Sequence, residues 1–366
     1  MSQNLRAKKA KQNYDSESMI AVFLLCLSVF LILTVSILTF RSCRSNAEPQ
    51  PSLQGTTQPS VDPPKGPLTS KPYFNEQSQA VSFDTSSQYI VLTNEKTGEI
   101  IASRSSGTRF SPASMTKVMT LIVMCERLSQ ADLSKTITFT DEMHAYVRTG
   151  NYKDSTNYNI DPNDEYKIED LLYGIGMYSA SDCVIPVVLY LAGTEKQFVD
   201  WMNEKVKDLG LENTHFDNPI GYESSDNYTT AEDMSQIMAY AMQNSLIRTI
   251  LSKETHVSTA AGYNSSGNYV PSFRITFYST LFGNHENSRM YSYEKNYNKP
   301  FQLQTAKLLA GKTGYLENDG VKNHCLVLYV ADANSQQHYI LVVGGGTQPQ
   351  YVTMKDIKDI LDTYIQ

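Results

Sequence analysis

A serine and a lysine three positions apart are the residues of this sequence best suited to covalent chemistry. Ser114 and Lys117 belong to the segment Ser-Pro-Ala-Ser-Met-Thr-Lys at 111–117, and the apolar run that follows them predicts a helix buried inside a domain. Residues three apart share one helix face. Because burial lowers the pKa of a lysine, Lys117 is suited to act as the base that activates the Ser114 hydroxyl.

Two further motifs follow Ser114 and Lys117 along the chain. The first is Tyr-Ser-Ala-Ser-Asp at 178–182. The second is Gly-Lys-Thr-Gly-Tyr at 311–315, which leads into an apolar, strand-like run at 325–330. A single S-x-x-K match recurs by chance in long chains. The combination of S-x-x-K, a second serine motif and K-T-G is the signature set of penicillin-recognising serine enzymes.

The chain resembles the D-alanyl-D-alanine carboxypeptidases, the low-molecular-mass penicillin-binding proteins that trim peptidoglycan stem peptides. Four segments besides the motifs are similar to that family and follow in the same order: Tyr89–Ser103, Asp164–Gly174, Asn213–Gly221 and Tyr228–Asp233. The resemblance runs from about residue 75 to the end of the sequence. It implies an α/β fold, in which an antiparallel sheet flanked by helices stands beside an all-helical subdomain, as in β-lactamases and penicillin-binding transpeptidases.

The resemblance implies a serine-peptidase mechanism. Ser114 attacks the carbonyl of the penultimate D-alanine and forms an acyl-enzyme, Lys117 takes its proton, and Ser179 relays a proton to the leaving D-alanine. The oxyanion lies between the backbone amides of Ser114 and Tyr315. Because β-lactams mimic the D-Ala-D-Ala end, they are expected to acylate Ser114 as covalent inhibitors.

The resemblance also implies a set of substrate-binding residues. Lys312 and Thr313 hold the terminal carboxylate, Gly314 lets the strand approach the substrate, and Tyr315 contributes its backbone amide. Ser181 stands where relatives usually have an asparagine, at the third residue of the second motif. A serine hydroxyl has a shorter reach than an amide, so it is expected to lose one contact or to need a bridging water.

Two more features depart from the family pattern. Relatives tend to carry an arginine after the last strand, which supports the carboxylate site, and Gly344–Tyr351 contains none. The stretch 256–303 is longer and richer in Asn, Ser and Tyr than the resemblance leads us to expect. We interpret this stretch as an elaborated surface loop near K-T-G that reshapes the substrate cleft.

Periodicity and turn signals predict the helices and strands that position the motifs. Residues 88–103 are predicted to form a hairpin, 114–128 the central helix, and 168–192 mostly helix with the second motif at a break. Two apolar runs, 324–331 and 338–343, are predicted to form a closing hairpin. The remaining predicted helices are 196–209, 230–243 and 351–364. Strands at both ends favour a sheet assembled from distant segments around a helical insertion.

The start of the chain predicts export and tethering. Residues 1–18 carry four basic side chains, and 19–40 are 22 residues without a charge, enough at ~1.5 Å per residue to span a ~30 Å hydrocarbon core. The basic excess predicts a single-pass membrane anchor with a cytoplasmic N-terminus and a peptidase domain at 75–366 on the cell-wall side. Residues 41–74, rich in Pro, Ser and Thr, are typical of a linker. A cleaved signal peptide is the alternative to this anchor, because Ser45-Asn46-Ala47 resembles a cleavage site.

Composition argues against several other classes of function. The net charge is −7 and the sequence has no basic stripe or Gly-rich phosphate loop, which argues against nucleic-acid and nucleotide binding. The six histidines show no metal-ligand spacing, so no metal or other cofactor is expected. Three of the five cysteines fall in the globular part, and the scattered placement of Cys125, Cys183 and Cys325 favours buried thiols over disulfides.

Three functions stay open on this sequence. The leading hypothesis is a penicillin-sensitive serine D-Ala-D-Ala carboxypeptidase that removes the terminal D-alanine from stem pentapeptides. The second is a catalytically degenerate homologue that binds peptidoglycan or a cell-wall partner, motivated by Ser181 and the missing arginine. The third is a β-lactamase, which the sequence favours least because no Glu-x-x-x-Asn-type motif that would activate a deacylating water follows Ser181.

Overall fold

The computed structural model of the chain describes residues 69–150, 152–263, 267–318 and 320–365. The predicted cytoplasmic tail, the membrane span, the candidate cleavage site and most of the linker lie outside these residues. Within them, no helix is both long and apolar enough to cross a membrane.

Ten strands and nine α-helices occur in the described residues. The strands are β1 (Gln79–Ala80), β2 (Tyr89–Asn94), β3 (Ile100–Arg104), β4 (Thr136–Thr138), β5 (Glu165–Lys167), β6 (Thr255–Tyr263), β7 (Tyr269–Tyr278), β8 (Ala306–Asn318), β9 (Val321–Asp332) and β10 (His338–Gly346). The helices are α1 (Thr116–Arg127), α2 (Asp141–Arg148), α3 (Ile168–Tyr173), α4 (Ser181–Ala192), α5 (Glu195–Asp208), α6 (Ala231–Ala241), α7 (Ser245–Ser252), α8 (Arg289–Tyr297) and α9 (Gln350–Tyr364). Two 3₁₀ turns, Ala113–Met115 and Asp132–Ser134, and a π-helical turn, Gly174–Tyr178, connect them.

The larger sheet joins strands from both ends of the described chain in the order β1-β3-β2-β10-β9-β8. All neighbours are antiparallel except β1, which pairs with β3 in parallel. Helix α6 packs on one face and α9 on the other. Successive residues such as Ile90 and Val91 therefore enter different hydrophobic clusters. Burial on both faces makes the central strands almost continuously apolar, which is why β9 and β10 are recognisable as apolar runs.

Helix α1 lies at the centre of the larger hydrophobic cluster. Ten of its 12 residues are buried, and helices α4, α5, α6 and α7 pack around it. A helix that is surrounded on all sides has no need of a polar face, which explains the apolar run from Val118 to Cys125. Its first turn carries Lys117 into the same interior.

The predicted break at the second motif is present between α3 and α4. Helix α3 continues into the π-helical turn, which ends at Ser179 in the left-handed region with φ +68°. Gly176 permits this turn, because a Cβ there would overlap the side chain of Ile250. Ser179 is consequently presented at the end of a turn rather than inside a helix.

The other elements predicted from the sequence are also confirmed. The first hairpin is β2 and β3, the closing hairpin is β9 and β10, and the predicted helices correspond to α5, α6 and α9. The three cysteines of the described region are buried, free thiols.

The prediction of an all-helical subdomain is wrong. A second, four-stranded sheet in the order β4-β5-β6-β7 lies within it. Strands β4 and β5 have three residues each, so they are too short to show an alternating pattern in the sequence. Strand β5 joins β6 through one β-ladder pair, Glu165–Ala261, which no local signal indicates.

The interpretation of 256–303 as an elaborated surface loop is also wrong. The stretch forms most of the β6–β7 hairpin and all of helix α8. Large parts of both strands are exposed, and Tyr263 and Tyr269 remain about half accessible, so the hairpin needs few apolar residues. The tyrosines of the stretch are also favourable in strands.

Candidate active site

Ser114 lies in the 3₁₀ turn that leads into α1. The turn has an uncommon conformation, since Ala113 has φ +48°. Gly221 packs so closely on this turn that a Cβ there would overlap the Ala113 carbonyl oxygen. The φ of Gly221, +75°, also favours glycine. The backbone of the turn is thus tightly confined while Ser114 lines two open cavities.

Lys117 is the hydrogen-bond partner of Ser114. Its Nζ donates to Ser114 Oγ at 3.1 Å and to the Ile220 carbonyl oxygen at 2.7 Å. Only 1% of Lys117 is exposed, and this burial lowers its pKa to about 7, against the opposing charge of Asp182. A lysine with this pKa is partly neutral at neutral pH, so it can accept the Ser114 proton. The structure therefore brings the predicted pair together.

Ser179 and Lys312 form a second serine-lysine pair. Lys312 Nζ donates to Ser179 Oγ at 2.9 Å and to the Thr313 carbonyl oxygen at 2.9 Å. Burial lowers the pKa of Lys312 well below its ordinary value, and the charges of Lys117 and Arg289 lower it further. Ser114 and Ser179 line the same cavity, so both pairs belong to one site.

Thr313 and Tyr315 lie two residues apart in β8 and line the same cavity as Ser114. This agrees with the alternation of side chains along a strand. The Thr313 hydroxyl lies 2.6 Å from the hydroxyl of Thr280, which follows β7. The side chain of Tyr315 is 42% exposed at the mouth of the cleft.

Gly314 allows β8 to lie directly against the turn that carries the candidate nucleophile. A Cβ on Gly314 would overlap the Cys325 thiol and would lie 3.1 Å from the Pro112 carbonyl oxygen. Any larger residue would push β8 away from Ser114, so the glycine of K-T-G has a clear steric role here.

Ser181 is part of the cleft but makes no hydrogen bond through its side chain. It is fully buried at the start of α4, and its Oγ has no partner in the described structure. It lines the same cavity as Ser114 and Lys117. A buried hydroxyl without a partner is unfavourable by about 1–3 kcal/mol. The short reach expected of serine at this position thus coincides with an unsatisfied group in the cleft.

Arg289, the first residue of α8, is a site residue that the sequence did not reveal. Its guanidinium lines the cavity of Ser114 and Thr313, and its Nη2 donates to the Gly314 carbonyl oxygen at 3.4 Å. Burial lowers its pKa to about 10, so it stays cationic at neutral pH. Within the described residues no carboxylate pairs with it. No spacing in the sequence links Arg289 to K-T-G, because the contact depends on how α8 packs on β8.

His324 supports the guanidinium from strand β9. Its Nδ1 lies 2.9 Å from Nη1 of Arg289. Burial and the adjacent Arg289 charge lower the pKa of His324 to about 3, so the imidazole is neutral. A neutral Nδ1 can accept from the guanidinium, which leaves the positive charge of Arg289 uncompensated.

Two cavities meet at Ser114. The first has a volume of about 370 Å³ and is lined by Ser179, Thr313 and Arg289 among others. The second has a volume of about 390 Å³ and is lined by Lys117 and Ser181 among others. In the described part of the chain, no group of three or more His, Cys, Asp or Glu side chains is arranged to hold a metal ion.

Comparison with known proteins places this chain in a family. A family model for D-alanyl-D-alanine carboxypeptidases, peptidase family S11, matches residues 75–347. The carboxypeptidase DacF of Bacillus subtilis is 34% identical over 152 residues, which cover 41% of this chain and 37% of the relative. DacA of Escherichia coli is 31% identical over 149 residues, which cover 40% and 37%. The matched segment thus spans well under half the length of these curated relatives.

Solved structures share the fold. The DD-transpeptidase of Streptomyces K15 aligns with a TM-score of 0.61 at 23% identity, over 77% of this chain and 98% of that one. Penicillin-binding protein 5 of Haemophilus influenzae aligns with a TM-score of 0.58 at 21% identity, over 77% and 71%. These likenesses agree with the mixed α/β architecture described above. The family match over residues 75–347 establishes that the chain belongs to the D-alanyl-D-alanine carboxypeptidase family.

Proposed function

We propose that this protein is a serine D-Ala-D-Ala carboxypeptidase that removes the terminal D-alanine from peptidoglycan stem pentapeptides. The observation that carries the proposal is the buried Lys117, whose pKa of about 7 and 3.1 Å distance to Ser114 Oγ suit a general base. Family membership supports the same chemistry.

In the proposed acylation step, Lys117 Nζ takes the Ser114 proton as Oγ attacks the penultimate carbonyl. The backbone amides of Ser114 and Tyr315 would hold the oxyanion, since Gly314 keeps β8 against the nucleophile's turn. The bond to the terminal D-alanine then breaks, and its amine receives a proton through Ser179, which Lys312 orients. Water subsequently hydrolyses the ester and regenerates Ser114. β-Lactams would form the same ester.

The terminal carboxylate is proposed to bind to Thr313, Lys312 and Arg289. Arg289 supplies a buried positive charge beside Thr313, with His324 as a neutral support. It would take the place of the arginine that Gly344–Tyr351 lacks, although it comes from a helix rather than from the end of the last strand. An arginine with its positive charge uncompensated is suited to a planar carboxylate.

Residues 19–40 are proposed to anchor the protein in the cell membrane with the peptidase domain on the cell-wall side. The support is the uncharged length of this segment and the basic residues that precede it. We expect the protein to resist alkaline extraction from membranes. We also expect proteases to reach residues 75–366 only from outside the cell.

The proposal is tested by D-alanine release from a synthetic pentapeptide, with the full chain in detergent and Ser114→Ala as the control. Release by the wild type alone is expected. The competing function is a degenerate homologue that binds peptidoglycan without turnover, which the unpartnered Ser181 hydroxyl favours. Binding of the pentapeptide with no release would support that competitor. Rapid Ser114-dependent destruction of penicillin would instead indicate a β-lactamase.

A further inference from the structure

The two cavities at Ser114 carry opposite charges. The lining of the first contains the Arg289 guanidinium and no carboxylate. The lining of the second contains three carboxylates, those of Asp154, Glu223 and Glu317. Its only cationic residue is Lys117, whose pKa of about 7 leaves it partly neutral. A peptide that crosses Ser114 thus passes from a positive to a negative environment.

The proposed function fixes the direction in which a substrate crosses. With the terminal carboxylate at Arg289, the terminal D-alanine occupies the first cavity. The acyl group that Ser114 retains, together with the residue before D-Ala-D-Ala, then extends into the second cavity. The second cavity consequently contacts the third residue of a stem peptide, the position at which its side chain can vary.

Three separate segments bring the carboxylates to this cavity. Asp154 follows α2, Glu223 follows the nucleophile-packing Gly221, and Glu317 lies in β8 two residues after Tyr315. Glu223 accepts a hydrogen bond from Ser111 at 3.4 Å, and Glu317 accepts one from Tyr315. Among the described residues, none of the three carboxylates forms an ion pair. Their charges are therefore available to a ligand.

A second, independent feature of this cavity is a buried hydroxyl without a hydrogen-bond partner. The Ser181 hydroxyl, fully buried and without a partner, lines the same cavity. Since buried hydroxyls are normally satisfied, the Ser181 hydroxyl is suited to a hydrogen bond with a polar group of a ligand. The peptide backbone of the acyl group would supply such a group in the direction derived above.

We propose, on the basis of the proposed function, that the second cavity selects stem peptides whose third residue carries a free ammonium on its side chain. The three unpaired carboxylates make the cavity negative, and this charge attracts an ammonium group. An amine that has been acylated, as in a cross-linked or branched stem peptide, has lost this charge. A side chain that also ends in a carboxylate would be repelled by the same acids. The enzyme would thus prefer unsubstituted, lysine-like stem peptides.

The test compares two probes that differ only at the side-chain amine, which is cationic in Nα-acetyl-L-Lys-D-Ala-D-Ala and neutral in its Nε-acetylated form. Binding is measured on the full-length Ser114→Ala protein in detergent, so that turnover plays no part. We expect the free amine to bind about tenfold more tightly at low salt, a difference of about 1.4 kcal/mol. The ratio should shrink as salt screens the partly exposed acids.

Substitution of the acids identifies the source of the preference. Combined Asp154→Asn, Glu223→Gln and Glu317→Gln changes should bring the two affinities within about twofold of each other. Glu204→Gln, a change at an exposed glutamate of α5 that lines neither cavity, should leave the ratio unchanged. Two results would overturn the proposal. One is equal affinity for the two probes in the protein that keeps all three acids, and the other is a preference that survives substitution of the acids.

D-alanine release by the wild-type protein separates the two levels of inference. Equal release from both probes would overturn the charge preference while leaving the carboxypeptidase intact. A binding preference without any release would uphold the cavity's selectivity and overturn the proposed function. Failure of both probes to bind, together with no D-alanine release from either, would overturn both.

Discussion

Two lysine-serine pairs lie in the same cleft, and the neighbouring charges affect the pKa of the two lysines differently. Both lysines are 1% exposed and both donate to a serine, Lys117 to Ser114 and Lys312 to Ser179. Burial lowers the pKa of each. At Lys117 the charge of Asp182 works against this shift, whereas at Lys312 the neighbouring cations add to it.

The difference between the pairs indicates a division of labour. Lys117 has a pKa of about 7, matched to taking and returning a proton at neutral pH. Lys312 is bonded to Ser179 and the Thr313 carbonyl in the cavity that also holds Arg289. Its position suits orientation of a proton relay and of the substrate carboxylate. Substitutions in the two pairs and in their surroundings test this division.

The largest effect is expected for Lys117→Met. Methionine fills a similar volume without a charge, so the fold should persist while Ser114 loses its base. Acylation by both pentapeptide and benzylpenicillin should fall about 10³-fold, the scale of general-base catalysis. Stopped-flow acylation measures this, with the exposed Lys135→Met as the matched control. A fall of less than about tenfold would mean that another group activates Ser114.

Lys312→Met should have a smaller effect. Loss of this ammonium removes the donor that orients Ser179, so D-alanine release should fall about 10²-fold. Lys307→Met, an exposed change in the same strand β8, should leave the rate unchanged. If Lys312→Met were as damaging as Lys117→Met, the two lysines would not divide the chemistry as described.

Arg289→Met tests the carboxylate end of the cleft. Hydrogen bonds to charged groups are worth about 1.5–3 kcal/mol, so KM for a pentapeptide should rise roughly 10- to 100-fold. A peptide whose C-terminus is amidated should be affected far less, because it lacks the charge that Arg289 is proposed to bind. The exposed Arg274→Met serves as the control. Equal losses for the acid and the amide would assign Arg289 a purely structural role.

The pH dependence of acylation should follow Lys117. Below its pKa of about 7 the ammonium cannot accept a proton, so the second-order rate constant should drop about tenfold per pH unit. Above pH 7 the acid limb should level off. The acid limb should persist in Arg289→Met, because the wild-type Arg289 stays charged through this range and does not cause the limb. The range from about pH 5 to about pH 8 extends to both sides of the Lys117 pKa. A flat profile across this range would contradict Lys117 as the base.

Ser181→Asn should produce the smallest change. Asparagine offers a donor and an acceptor with a longer reach into the cavity where the serine hydroxyl is unpartnered. One regained hydrogen bond is worth about 0.5–1.5 kcal/mol, so kcat/KM should rise about two- to tenfold. A decrease would show that the cavity is shaped for serine and that its departure from the family is functional.

Local patterns predicted the parts of the site that lie within single segments. The spacing of Ser114 and Lys117 and the apolar run after them were enough to place a buried pair at the start of α1. The break that carries Ser179 and the strands β9 and β10 were also recognisable from composition and periodicity. These features depend on neighbours in the sequence.

Features that depend on distant packing could not be predicted in this way. Arg289 reaches the cleft only because α8 folds back on β8, and its partner His324 comes from β9. The second sheet rests on two three-residue strands and one bridging pair, Glu165–Ala261. Neither arrangement leaves a periodic signal, and the Asn-, Ser- and Tyr-rich composition of 256–303 pointed to a loop instead.

The proposed function requires that β-lactams acylate Ser114, and intact mass spectrometry detects this acylation. The full chain in detergent is mixed with benzylpenicillin, beside Ser114→Ala, and the remaining penicillin is measured in the same sample. We expect one lasting penicillin adduct on the wild type and none on Ser114→Ala. An unmodified wild-type protein with the penicillin intact, or an equal adduct on Ser114→Ala, would contradict it.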